Sequence, residues 1–187
     1  MNFLETYNHI KNFRFESFRF ALIEAHKRNL KTLVETGCAR GKVKFLFFPK
    51  INWKDGMSTM IFSDYARFSD GTLTTCDIDK KNINNAKRFV KKNKNFVKFV
   101  IDDSLNFLKS FDRTIDFLYL DSLDGQFSEA SIHQLNEIKV AKEKLNKNCL
   151  VLLDDKGAKT NLSIEYMLKN NFRVINETKE QVLLSLI

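Results

Sequence analysis

Residues 32–66 read TLVETGCARGKVKFLFFPKINWKDGMSTMIFSDYA. The opening "TLVET" is a short apolar and β-branched run of the kind that forms a buried strand, and Gly37 and Gly41 follow it directly. In an open α/β sheet, ligands sit beyond the carboxyl end of such a strand. Glycines there let the backbone turn tightly and approach a ligand, and Glu35 can accept hydrogen bonds from a cationic amine. The helix that should follow at once is postponed until Ser58. The stretch therefore predicts a strand, a glycine turn, an insertion over residues 42–55 and only then the helix.

Outward from this stretch the period of the apolar residues alternates. Upstream, residues 13–28 form an amphipathic helix with Phe18, Ala21, Leu22 and Ala25 on one face, so residues 1–30 read as an N-terminal helical extension. Downstream, strands at "TLTTCD", "FVKFVI", "IDFLYLD" and "CLVLLDD" alternate with helices at residues 80–92, 104–111, 128–145 and 161–170. Apolar strands separated by helices signal a parallel sheet covered on both faces. The final pair, "FRVINE" and "QVLLSLI", is parted only by the few residues around Thr178 and Lys179. A parallel crossover needs about a dozen residues, so this pair is an antiparallel hairpin. The expected fold is α/β: a Rossmann-like, seven-stranded, mostly parallel sheet with helices on both faces and a C-terminal antiparallel hairpin.

At 187 residues the chain suits a single domain around one core. No apolar run is long enough to cross a bilayer or resembles a cleavable leader, which makes a soluble, cytoplasmic protein the expectation and excludes a membrane partner. Cys38, Cys76 and Cys149 stand alone, without a CxxC pair, and read as reduced, buried thiols. The formal charge of +8 raises a nucleic-acid partner. Its densest lysine cluster, "KRFVKKNKN", turns Phe89 and Val90 inward on a helical period and reads as a solvated face, so nucleic acid is the less favoured partner.

The strand ends carry acids in series. "TTCDID" ends in Asp77, placed to take both hydroxyls of a ribose, with Ile78 beside it. The next strand ends in "VIDDSLNFL", where Asp103 and Ser104 can reach an adenine edge; Asp79 and Asp102 read as helix caps. Across nearly its whole length, from the helix before "LVETGCARG" to the terminal hairpin, the chain resembles class I S-adenosylmethionine-dependent methyltransferases, whose last strand inserts antiparallel. Within that class it is similar to a small-molecule O-methyltransferase-like branch in which the first glycine loop is extended and resumes, here as "DGMST". The resemblance implies S-adenosylmethionine as cofactor, a small-molecule methyl acceptor, and a cradle of Glu35, Gly37, Cys38, Gly41, Asp55, Gly56, Met57, Ser58 and Thr59. The helix from Ser58 would aim its amides at the methionine carboxylate. Phe45, Phe47, Phe48 and Trp53 in the insertion either form a lid and substrate wall or tuck onto the core.

Two further acidic ends, Asp121 in "YLDSLDG" and the Asp154–Asp155 pair in "LLDDKG", can form an oxygen-rich divalent-cation site. Catechol-type relatives hold magnesium with Asp and Asp-Asn, so Asp-Asp is a departure that leaves Mg²⁺ or another divalent cation open. Asp121 is also a candidate catalytic and cofactor-binding residue. A metal would lower the acceptor's pKa; without one, His133, on one helical face with Glu137, is the candidate base. That His-Glu pair recurs in the branch the chain resembles. Lys156 and Lys159 either orient the acceptor, Lys159 then counting as catalytic, or are surface lysines. The absence of a "DPPY" or "NPPY" motif after the fourth strand speaks against base N-methylation. The alternatives are a non-catalytic cofactor-binding protein and a nucleic-acid methyltransferase.

Overall fold

In a computed structural model the chain is described over residues 1–45 and 48–187, with the backbone alone for residues 42–45 and 48–50. Helix α1 (Phe15–Lys27) leads into β1 (Thr32–Thr36). The insertion carries an antiparallel pair, β2 (Lys42–Phe45) and β3 (Phe48–Ile51), and a 3-10 turn at Trp53–Asp55. The sequence pattern marked this segment only as an insertion; its apolar–lysine mixture carries no turn signal. Then come α2 (Ser58–Phe68), β4 (Thr72–Asp77), α3 (Lys80–Phe89), β5 (Val97–Ile101), α4 (Ser104–Ser110) and β6 (Ile115–Leu120). The chain closes with α5 (Ala130–Ala141), β7 (Leu145–Leu153), α6 (Asn161–Leu168), β8 (Phe172–Glu177) and β9 (Val182–Leu186).

Seven strands form one sheet in the order β5-β4-β1-β6-β7-β9-β8. Pairings from β5 to β7 are parallel, while β9 runs antiparallel to both β7 and β8, which is the expected terminal hairpin. Strand parity sorts the core into two layers. Leu33, Leu73, Phe117, Tyr119, Leu150 and Leu152 face α1 and α2, meeting Phe18, Leu22, Phe62 and Tyr65. Val34, Cys76, Leu118, Leu120, Val151 and Leu153 face α4, α5 and α6 through Phe107, Ile138 and Met167. Leu4, Tyr7 and Phe15 join the first layer, so the N-terminal segment packs into the core. The three cysteines are free and buried. None of the helices of the described residues is long and apolar enough to cross a membrane.

Chain order reverses on either side of β1, whose neighbours are β4 and β6. The crevice expected there opens at the carboxyl ends of β1, β4 and β6. Hydrogen bonds just past the strand ends hold these ends level: Gly37 N–H donates to Cys76 O at 2.8 Å, and Asp121 N–H to Thr36 O at 2.8 Å. Gly37 has φ +78°, and a side-chain carbon there would lie 2.1 Å from the Asp121 carbonyl oxygen, so the β1 turn and the β6 end meet only because residue 37 is glycine.

Candidate functional site

Two adjoining cavities of about 180 and 150 Å³ occupy the crevice and share Gly37, Asp77, Ile78, Ser122 and Leu123 as walls. The larger one continues along Cys38 and Arg40 to Asp55, Asp121 and Asp124; the smaller continues to Asp103, Ser104 and His133. The β4 end forms the ridge between them. Asp77 accepts from Cys38 N–H at 3.2 Å, Asp79 N–H at 2.7 Å and the Asn82 amide at 3.3 Å, which holds its carboxylate at the rim. Ile78 is 74% exposed beside it, an apolar surface offered to a ligand.

Several residues expected in the cradle lie behind it. Glu35, Ser58 and Thr59 are at most 2% exposed. The Glu35 carboxylate accepts from the Ser58 hydroxyl at 2.5 Å and the Thr59 hydroxyl at 2.8 Å, fastening the first turn of α2 to the end of β1. Thr59 Oγ1 in turn accepts from Ala39 N–H at 2.8 Å. The Glu35 carboxylate is thus turned to the hydroxyls of α2 rather than exposed on the crevice wall. Burial pushes the Glu35 carboxyl up to about 7, against the lowering effect of Ser58, Thr75 and Thr59. Met57, with φ 57°, is the N-cap of α2 and is itself buried. Gly41 donates its N–H to Asp55 at 3.1 Å, which closes the insertion at its base, and Gly56 leaves room for Arg14, whose Cδ would lie 2.9 Å from an added side-chain carbon.

The cap assignments are half right. Asp79 accepts from Lys81 N–H and caps α3, but the cap of α4 is Asp103, which accepts from Leu105 and Asn106 N–H, while the Asp102 carboxylate accepts from Asp103 N–H. One Asp103 oxygen is thus occupied by the helix end. Ser104 Oγ lies 2.9 Å from His133 Nε2, and Glu137 Oε1 is 3.8 Å from that same nitrogen. Because one imidazole nitrogen faces both groups, the trio is not a nucleophilic relay, which needs a separate nitrogen for each partner. His133 stands at the smaller cavity, on the Ser104 side. Burial raises the Glu137 carboxyl, opposed by the charge of His133, and neither of its oxygens has a hydrogen-bond partner among the described residues.

The three acids expected to hold a cation do converge, with ligand atoms within 4.8 Å of one another. Most of their oxygens are already taken. Arg14 grips Asp154 through Nε at 2.7 Å and Nη2 at 2.8 Å, and the Gln181 amide donates to Asp154 at 2.7 Å. Lys159 Nζ donates to Asp121 Oδ1 at 2.8 Å and pairs with Asp155 Oδ2 at 3.2 Å; Arg14 reaches Asp155 Oδ1 at 3.0 Å. This donor set does not fit a divalent ion, since two side-chain cations occupy it. Burial would raise the Asp154 carboxyl, but the Arg14 pair outweighs it and holds the group below its ordinary range. Burial and the neighbouring Asp154 charge hold Asp121 well above its own, against the pull of Lys159.

Arg14, Gln181 and Arg40 were missed by sequence reasoning. Gln181, at the head of the apolar "QVLLSL", is fully buried, a polar residue opening a core strand that offered the one readable signal. Arg40 bridges Asp55 at 3.4 Å and Asp124 at 3.2 Å. In the insertion, Trp53 stacks on His9 at 4.7 Å and packs partly against the core, so this aromatic tucks inward. Phe47 lies outside the described residues, as do the side chains of Phe45 and Phe48. Lys156 pairs with Glu177, away from the crevice acids.

A family profile described as a methyltransferase domain matches residues 53–156, more than half of the chain. No curated protein matches it at a significant level. Among solved structures, the SAH-bound Podospora anserina methyltransferase PaMTH1 is similar at TM-score 0.67 and 15% identity, covering 93% of this chain and 79% of that one. The O-methyltransferase NovP is similar at TM-score 0.66 and 14% identity, covering 92% and 79%. An rRNA methylase from Streptococcus thermophilus matches at TM-score 0.65 and 11% identity, covering 96% and 99%.

Proposed function

The chain belongs to the methyltransferase domain family, and on that premise we propose that it transfers a methyl group from S-adenosylmethionine to an oxygen of a small molecule. The observation that carries the reading is the pair of cavities joined over Gly37, Asp77, Ile78, Ser122 and Leu123, an elongated crevice with a carboxylate on its central ridge. Its donor set suits the cofactor: Asp77 for the ribose hydroxyls, Ile78 against the adenine, Ser104 and His133 at the adenine edge, and Gly37 and Cys38 beside the methionine. Glu35, Gly41, Gly56, Ser58 and Thr59 shape this cradle from behind.

When bound, S-adenosylmethionine supplies an electrophilic methyl group on sulfonium sulfur, displaced in line by the acceptor oxygen. The chain's part is alignment and proton removal. Asp121 is half-buried on the wall of the larger cavity, with Oδ1 held by Lys159, Oδ2 accepting from the Tyr119 hydroxyl at 3.4 Å, and the Asp154 carboxylate beside it. We place the acceptor against Oδ2, where an ionised Asp121 would take its proton; because burial and the Asp154 charge hold this carboxyl well above its ordinary range, the step requires a pH high enough to ionise it. No step is routed through a metal.

The name of NovP agrees with an oxygen acceptor, while the rRNA methylase and the charge of +8 favour nucleic acid. The larger cavity is lined by five aspartates and one arginine, a field that repels phosphodiesters and attracts a sulfonium. Calorimetry with S-adenosylhomocysteine tests the core of the reading. Wild type should bind and Asp77→Ala should bind more weakly by about 1.5–3 kcal/mol, the scale of a lost hydrogen bond to a charged group. Equal affinities would remove Asp77 from the ribose, and tighter binding of NADH would overturn the cofactor. Release of S-adenosylhomocysteine with a hydroxylated acceptor separates an enzyme from a non-catalytic binder, and steeply salt-dependent RNA binding would favour the nucleic-acid reading.

A further inference from the structure

We propose that Lys159 is the resident cation of the acid cluster, standing where a divalent ion would and fixing Asp121 so that Oδ2 alone faces the acceptor. The proposal deepens the methyl-transfer reading of Asp121 and rests on it only for that last clause. Lys159 is 1% exposed, an unusual place for an ammonium. Its ammonium meets three oxygens, donating to Asp121 Oδ1 at 2.8 Å and Leu123 O at 3.0 Å and forming an ion pair with Asp155 Oδ2 at 3.2 Å. Two carboxylates and a carbonyl are the ligand types of a hard cation. Asp155 takes φ 54°, and Lys159 N–H bonds back to Asp155 O at 3.1 Å, so a single tight turn sets carboxylate and ammonium against each other.

Charge balance points the same way. Three acids face two cations, Arg14 and Lys159, so the cluster carries one negative charge when Asp121 is ionised and none when Asp121 holds the proton that its burial and the Asp154 charge favour. A divalent ion entering beside both cations would overcompensate the acids and be repelled at close range. Removing the ammonium while keeping the aliphatic volume should therefore vacate a cage for a cation, with Asp154 still held by Arg14.

The test compares wild type, Lys159→Met, Lys159→Arg and Lys159→Met/Asp121→Asn in chelator and in Mg²⁺, Mn²⁺ or Ca²⁺, by melting and calorimetry. Wild type and Lys159→Arg should not respond. Lys159→Met should melt lower in chelator and gain a saturable rise of about 3–6 °C at ten times the dissociation constant, which the double variant loses. If Lys159→Met has no cooperative transition in chelator, 10 mM metal, roughly ten times a millimolar constant, should restore one. Saturable metal binding by wild type that Asp121→Asn abolishes would overturn the proposal. So would a Lys159→Met protein that stays insensitive to all three ions. S-adenosylhomocysteine titration of the same samples keeps the two readings apart: loss of cofactor binding in every sample, with the metal response intact, overturns the cofactor site and leaves Lys159 in place.

Discussion

The carboxyl of Glu35 is fully enclosed, and its surroundings make a pH-dependent contribution to folding. Its folded pKa of about 7 lies above the ordinary 4.5, so the native state holds the proton more tightly than the unfolded chain does. The contribution is fully present below about pH 4.5 and is lost as pH rises through about 7. The span corresponds to roughly 3 kcal/mol. Glu35→Gln removes this titration, so the stability of wild type relative to the variant should fall between pH 5 and pH 7.5 in urea unfolding. A difference that stays flat across that range would mean Glu35 remains ionised against Ser58 and Thr59. The spacing puts Asp77 at the end of β4, where it lines both cavities, whereas nothing in "LVET" distinguishes an acid that faces a ligand from one that faces the hydroxyls of α2.

Among elements, the contact between the β1 turn and the β6 end decides the shape of the crevice. Gly37→Ala would push a methyl into the Asp121 backbone, and neither partner is a flexible side-chain end. The added strain of a left-handed φ and of overpacking predicts a loss of about 2–4 kcal/mol. Gly157 is the control: it has φ +83° with nothing within 4 Å of the added carbon, so Gly157→Ala should cost only about 1 kcal/mol. Equal losses in chemical denaturation would show that φ, not the approach of β6, sets the requirement at residue 37. Element positions were legible because the apolar period switches between two and 3.6; α2, β4 and β8 begin and end where their patterns do. Helix α3 stops at Phe89, earlier than its pattern, because residues 91–96 tighten into a 3-10 turn before β5.

Across the whole molecule, Arg14 ties the N-terminal segment to the end of β7. Its guanidinium also donates to Lys54 O at 3.1 Å, and Asp154 is linked to the start of β9 through Gln181. The Asp154 side chain is 1% exposed, so Arg14→Ala would leave a buried carboxylate without its counterion. The expected cost is about 3–5 kcal/mol. Arg14→Ala/Asp154→Asn should recover a large part of it, since the uncompensated charge is then gone, and additive losses in the double variant would deny the coupling. The start of the chain is packed by contacts of its own: Leu4 and Tyr7 are buried, and Tyr7 donates to Asp64 at 2.5 Å.

By itself the sequence determined the order of strands and helices, the antiparallel end, and the acids at successive strand ends, because these depend on local periodicity and on connections too short for a crossover. Only the tertiary structure decided what those acids do. Asp121, Asp154 and Asp155 read as a cation site because acids at neighbouring strand ends converge, and they do converge. Arg14 and Lys159, which neutralise them, come from the segment before α1 and the turn before α6, and Gln181 from the residue just before the last strand. A charge pair spanning 140 residues leaves no spacing to read, since its partners are set by how the helices and strands pack, not by any local pattern.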